Sequence, residues 1–209
     1  MIVWLASYPR SGNTLYRMLL YHLEGIETYS IYNDRDITKM GASEAVGHRK
    51  LAHSLDYYRR APDAYYIKTH SLPKDDLLAV YIVRDVRDVM VSYAHYRQDI
   101  DGCGDDLDTI LRRLIVGNRW GGWSTHVLRW ITRDQTVMTV KFEDLVEQPE
   151  TVFLNTEREA PEFEELHYNW PKFFRKGKVG GWKDEMSDEI EALCWKHHGK
   201  VMGRLGYER

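Results

Sequence analysis

Short unbroken apolar runs that give way at once to helical periodicity constrain this chain more than any other feature. Residues 2–7 (Ile-Val-Trp-Leu-Ala-Ser) form such a run, Tyr8-Pro9-Arg10-Ser11-Gly12-Asn13 follows, and helical spacing runs from Thr14 to about Leu23. A run this short, closed by Pro and Gly, reads as a β-strand covered on both faces. The pattern recurs at 77–83, ahead of a helix from Asp85 to about Gln98, and at 136–142, ahead of a helix starting near Glu143. Residues 65–69 add a further β-rich stretch. Strands alternating with helices predict an α/β fold of three layers: a central parallel sheet of four or five strands with helices on both faces.

The remaining segments are less regular. Residues 43–60 read as one helix, with Ser43 as N-cap and Pro62 beyond its end. Helices are predicted at 107–116, 121–132 and 187–198, whereas 24–42 and 99–106 read as polar loops and 158–181 resists assignment. Asp85 is placed to cap its helix, with Asp88 three residues on as a capping-box-like partner.

Composition narrows the function classes. The chain has 209 residues, 29 Lys plus Arg against 32 Asp plus Glu, and a formal charge of −3. That length predicts a single domain spanning residues 1–209. Near-neutral charge argues against a general nucleic-acid binder. Two cysteines, Cys103 and Cys194, make no disulfide framework and no zinc motif. Apolar runs fall far short of the roughly 20 residues of a membrane span, and the first residues lack the pattern of a secretory leader. A cytoplasmic, membrane-independent protein is therefore expected.

The first loop carries chemistry. Gly12 permits close backbone approach or positive φ, and Ser11, Asn13 and Thr14 add polar groups beside the free N–H groups of a helix start. That is a cradle for phosphate or a similar anion, or simply a strand–helix turn with Asn13 as its cap. It is not a Walker A loop, because Ser7 replaces the first Gly and Asn13 the Lys, and the cation, Arg10, precedes Ser-Gly. Farther on, Arg84 stands at the carboxyl end of the 77–83 run, where open α/β sheets bind ligands, and can converge with Ser92 on one anion. Arg87 and Asp88 read as solvated ion pairs of small energetic value.

With these residues in view, the sequence resembles the cytosolic-type sulfotransferases that use 3′-phosphoadenosine 5′-phosphosulfate (PAPS). Tyr8-Pro9-Arg10-Ser11-Gly12-Asn13-Thr14 resembles the family's Tyr-Pro-Lys-Ser-Gly-Thr-Thr loop for the 5′-phosphosulfate. Lys68-Thr69-His70, with Leu72-Pro73, resembles its Lys-Thr-His-Leu-Pro segment, and Arg84 to Ser92 its 3′-phosphate site. Phe142-Glu143-Asp144 resembles the Tyr-Glu-Asp turn, and the segment from Arg175 to Lys183 the Arg-Lys-Gly-x-x-Gly-Asp-Trp-Lys piece. Gly203-Arg204-Leu205-Gly206-Tyr207 is similar to the family's C-terminal ending. The resemblance implies a P-loop nucleotide-kinase-like architecture and in-line sulfuryl transfer from PAPS to a hydroxyl or amine of a small-molecule acceptor, releasing 3′,5′-ADP without a metal. A small-molecule kinase and an inactive PAPS-binding module are the competing readings.

Roles follow from the resemblance, residue by residue. His70 is the expected general base, Lys68 the cation beside the transferring group, and Arg10 the stabiliser of the leaving oxygen. Arg can supply charge there but cannot act as a proton donor. Ser11, Gly12, Asn13 and Thr14 would hold the 5′-phosphate; Arg84, Ser92, Arg175, Lys176 and Gly177 the 3′-phosphate. Several positions depart from the family. Leu15 stands where many relatives stack a Trp on adenine, Phe142 replaces a Tyr, Gly181 replaces an Asp, and the stretch between Asp144 and Arg175 is short. The family's usual dimer motif is not matched. The acceptor pocket would draw on loops 24–42 and 99–106, and Tyr16, Tyr29, Tyr32, Tyr96, Trp120 and Trp123 belong either to it or to the core.

Overall fold

The computed structural model describes residues 1–32, 34–134, 137–153, 163–171 and 177–209. Five strands, β1 (Ile2–Ser7), β2 (Thr28–Ser30), β3 (Tyr65–Thr69), β4 (Ala79–Val83) and β5 (Val137–Lys141), form one parallel sheet in the order β2-β3-β1-β4-β5. β1 lies at the centre and every one of its residues is buried, which is why its sequence is unbroken rather than alternating. Its neighbours β3 and β4 lie on opposite sides, so the chain reverses its winding direction beside β1. A crevice at the carboxyl ends of the strands is the physical consequence.

The period-2 rule separates two cores. From one face, Ile2, Trp4, Ala6, Tyr81 and Val83 pack with α4 (Val86–Asp99), α5 (Leu107–Val116), α6 (Trp123–Ile131) and α9 (Asp188–Arg204). From the other, Leu5, Val80 and Ile82 pack with α1 (Asn13–Glu24) and α7 (Phe142–Glu147). The predicted three-layer architecture is therefore present, with five strands. α2 (Arg35–Lys39), α3 (Leu55–Arg60) and α8 (Phe163–Asn169) are short additions.

Three expectations fail for identifiable reasons. Residues 43–60 are not one helix: only α3, with Ser54 at its N-cap position, is helical. Gly47 turns at φ 59° over the Tyr21 ring, where a Cβ would lie 2.5 Å away, and His48 bridges to Thr28. Those contacts hold residues 43–47 in turns that end at the sheet edge. Residues 24–42 contain β2 and α2 rather than loop alone; a three-residue edge strand is too short to leave a periodic signal. Asp85 does cap α4, accepting from the Arg87 N–H, but Asp88 does not reach back to complete a box.

Candidate active site

The carboxyl ends of β1, β3 and β4 surround a cavity of about 460 Å³. Arg10, Gly12, Asn13, Thr14, Lys68, His70, Arg84, Ser92 and Gly177 all line it. Ser11 does not line the cavity; it is buried, and its Oγ has no partner among the described residues. Arg175 and Lys176 lie outside the described residues.

The anion loop is shaped by two strained residues and one wedge. Gly12 takes φ 95° at the start of α1, and a Cβ there would lie 2.4 Å from the Phe142 ring. Only glycine fits both constraints. Asn13 is not the cap: it is the first helical residue, and its Nδ2 donates to the Leu5 carbonyl at 3.0 Å. The amides of this first turn have no acceptor within the helix. Arg10 takes φ 69° and donates from Nε to Ser92 Oγ at 3.2 Å. One side chain thereby joins the first loop to α4. Among the described residues, the non-glycine positions at positive φ are Arg10, Asp34 and Trp120, and all three line this cavity. Such strain gathers at functional sites.

On the far side, the Arg84 guanidinium lies 4.0 Å over the Phe142 ring and donates to the Lys178 carbonyl at 3.2 Å. Its Nε is buried and has no partner among the described residues. The expectation for Arg87 and Asp88 is overturned, because both are buried. Asp88 accepts from the Gly180 and Trp182 N–H groups, each at 2.9 Å, and so anchors the segment after Gly177 to α4. Arg87 grips Asp85, donates to Glu191 at 3.0 Å and to the Glu208 carbonyl at 2.8 Å, and lies 3.9 Å over Trp182. The tight packing of α9 and the C-terminal residues against α4 removes the water that the sequence alone suggested.

His70 follows β3. Its Nδ1 lies 2.8 Å from the Ser7 carbonyl, so Nδ1 carries the proton and Nε2 keeps a lone pair. Burial, then the Lys68 charge, pushes its pKa down to about 3. The imidazole is accordingly neutral across the physiological range, and less basic than a solvated histidine. Two residues of α6 hold the backbone here. His126 Nε2 donates to the His70 carbonyl at 2.9 Å, and Trp130 Nε1 to the Ser71 carbonyl at 3.1 Å. Tyr81 hydrogen-bonds His126 Nδ1 at 2.8 Å from below.

A model of the sulfotransferase domain matches residues 2–158. The chain belongs to the sulfotransferase domain family. Dog sulfotransferase 1A1 is 25% identical over 169 residues, covering 69% of this chain and 54% of that protein. Mouse sulfotransferase 1 family member D1 is 22% identical, covering 88% and 78%. The chain spans about half the length of several curated relatives that it matches. Among solved structures, mouse sulfotransferase SULT7A1 complexed with PAP superposes with a TM-score of 0.66 at 19% identity, covering 98% of this chain and 87% of that one. Retinol dehydratase in complex with retinol and PAP gives 0.67 at 19% identity, covering 96% and 81%. Both similarities are of fold.

The sulfotransferase motifs pick out the strand ends but not the wall opposite them. Of the six aromatic candidates, Tyr32, Tyr96 and Trp120 line the cavity. Tyr16 and Trp123 are core residues, and Tyr29 packs against the core. Tyr32 stacks on His70, with ring centres 5.6 Å apart, and its OH accepts from the His70 N–H at 2.9 Å. Trp120 stands edge-on to both rings. The loops at 24–42 and 99–106 do reach the cavity, through Tyr32, Asp34, Arg35, Asp36 and Asp101. Arg17, Asp34 and His126 were missed. Arg17 did leave a signal, as a charge inside the apolar run 15–20. His126 left none beyond being one of nine histidines.

Proposed function

We propose that this chain transfers a sulfuryl group from PAPS to a hydroxyl, or an amine, of a small molecule, releasing 3′,5′-ADP (PAP). The observation that carries the reading is the meeting of three motifs around one cavity: the Gly12 loop, Lys68 with His70, and Arg84 with Ser92. The cavity suits a doubly anionic nucleotide. Arg84 has a buried donor with no partner among the described residues, and Asn13 and Thr14, whose amides belong to the first turn of α1, line the site.

Each residue then has a physical task. The amides of residues 12–14 and the Thr14 hydroxyl hold the 5′-phosphate, whose charge also suits the positive end of α1. Arg84, with Ser92 and the backbone at Gly177, holds the 3′-phosphate; Arg175 and Lys176 belong to the same proposed clamp. Arg10 spans the two anion subsites and stabilises the charge left on the departing oxygen. His70 Nε2 takes the acceptor proton, and the Ser7 carbonyl fixes the tautomer this requires. Lys68 places a positive charge beside the transferring group. Tyr32 and Trp120 wall the approach to His70, which limits the acceptor to a molecule that fits between rings. Phe142 and Leu15 offer apolar surface for the adenine in place of the family's Trp. Both cysteines are free thiols, in keeping with a cytoplasmic setting, and among the described residues no helix is long and apolar enough to cross a membrane.

An acceptor screen with sulfur-labelled PAPS tests the proposal. Labelled product from at least one phenol, alcohol or amine is expected, and none from ATP with Mg²⁺ in a parallel phosphoryl assay. Phosphoryl product instead, or tight 3′,5′-ADP binding with no transfer to any acceptor, would overturn it.

A further inference from the structure

One wall of the cavity holds a buried charge cluster to which the motifs contribute only Lys68. Asp34 is 7% exposed and reaches three partners. Its Oδ1 accepts from Lys68 Nζ and from Ser30 Oγ, each at 2.9 Å, and its Oδ2 accepts from Arg17 Nη1 at 2.5 Å. Arg17 is wholly buried, and its other nitrogens bind Thr28 Oγ1 at 2.8 Å and His48 Nδ1 at 3.0 Å. The carboxylate is thus fixed from α1, β2 and β3 together. Its backbone sits at φ 35°, in the left-handed region.

We propose that Asp34 is a positioning residue of the transfer site: its carboxylate holds the Lys68 ammonium in place and charged, while Arg17 holds the carboxylate. This rests on the reading of the cavity as a sulfuryl-transfer site. The charges in the cluster are two positive and one negative: Lys68 and Asp34 line the wall and balance each other, while Arg17 is sealed behind it, so the Lys68 ammonium is the charge the cluster presents to the cavity for as long as it stays protonated. Burial alone drives an ammonium toward its neutral form, and Lys68 is pushed below its usual pKa chiefly for that reason. Arg17 and Arg10 push the same way; Asp34 opposes all three. Asp34 itself is also penalised by burial, but Lys68 and Arg17 together hold its carboxyl well below the usual range. The remaining titratable neighbours are His48, against Arg17, and His70, which burial and then the Lys68 charge keep neutral. Removing one carboxylate therefore has a specific consequence. Lys68 gives up its proton closer to neutrality, and the transfer site loses its positive charge as pH rises.

The test is Asp34→Asn, read in two ways. In steady-state transfer, the alkaline limb of the kcat profile is expected to move down by at least about one pH unit, a tenfold shift in the proton equilibrium, with KM for PAPS within about threefold of the parent. In the unliganded protein, the Lys68 13Cε resonance is expected to titrate at a correspondingly lower pH. Asp34→Glu, which keeps the charge, should restore much of both. If the single variant does not fold, Arg17→Gln/Asp34→Asn removes both interior charges together and is read by the same resonance. A uniform loss of kcat with an unmoved limb, or an unchanged Lys68 titration, overturns the proposal. The resonance is independent of turnover. A Lys68 shift in a protein that sulfates nothing therefore supports the hold of Asp34 on Lys68 while rejecting the transfer reading.

Discussion

The two walls of the cavity are built by different means. The donor wall consists of strand ends and helix starts: the loop after β1, the first turn of α1, Arg84 after β4, and the anchored segment at 177–183. It keeps Arg84 Nε unpartnered, along with amides that no helix bond satisfies. The opposite wall is made of side chains from loops and helix faces that largely satisfy one another. Tyr32 OH serves the His70 N–H, Tyr96 OH donates to Asp36 at 2.7 Å, and His70 Nδ1 serves Ser7. The indole N–H of Trp120 is the exception. Unpartnered donors suit a charged ligand that must be gripped. A self-satisfied aromatic wall suits a neutral ligand that is positioned by shape.

The sharpest way to break this division is His70→Ala. If His70 belongs to the chemistry and not to nucleotide binding, transfer should fall by about 10²–10⁴-fold. Affinity for 3′,5′-ADP, measured by calorimetry, should stay nearly unchanged. Near-normal turnover would remove His70 from the mechanism, and a parallel loss of affinity would merge the two walls.

Arg84→Ala is the converse probe and should be smaller. A charge-assisted contact is worth roughly 1.5–3 kcal/mol, so 3′,5′-ADP affinity should drop by about ten- to a hundredfold. Binding of 5′-AMP, which lacks the 3′-phosphate, should change far less. Equal losses for both nucleotides would mean that Arg84 does not read the 3′-phosphate.

The same division explains what was legible in the sequence. Strand ends follow from apolar runs, so Arg84 could be placed at the site from its position one residue past β4, whereas His70, one residue past β3, stood out from the other histidines only through the resemblance of Lys68-Thr69-His70 to the family's motif. Loop residues are placed by contacts distant in the chain. Asp34 reaches Lys68 across 34 positions and His126 reaches His70 across 56, and no local period encodes either pairing. The failed helix at 43–60 has the same cause, since Gly47 over Tyr21 and His48 against Thr28 outweigh local propensity. So does the error at Arg87 and Asp88, whose burial depends on α9 and the C-terminal residues.

Tyr32→Phe tests the shape-based wall more gently. The ring that stacks on His70 remains, while the acceptor for the His70 N–H is lost. We expect a loss of about 1 kcal/mol, or roughly fivefold in acceptor kcat/KM, with PAPS KM unchanged. An effect on PAPS KM alone would place Tyr32 on the donor wall.

A different kind of probe is stability, which also bears on the walls. Burial pushes the pKa of His126 down to about 4 and that of His70 to about 3. In the unfolded chain both titrate near ~6.5. As pH falls below that value, the unfolded state takes up protons that the folded state refuses, so stability must decline, by at most about 1.4 kcal/mol per pH unit for each group. The decline ends only near the folded pKa values. His198, held between Ser124 and the Ile115 carbonyl away from the cavity and likewise pushed down to about 4, should add to the same slope. Urea unfolding at pH 7 and pH 5 measures the slope directly. His126→Gln keeps a donor for the His70 carbonyl but cannot titrate, so it should flatten the slope by one group while leaving 3′,5′-ADP affinity intact. A slope unchanged by that substitution would mean that His126 does not titrate in this window, and the acid sensitivity would then belong to the other buried histidines, His48, His70 and His198.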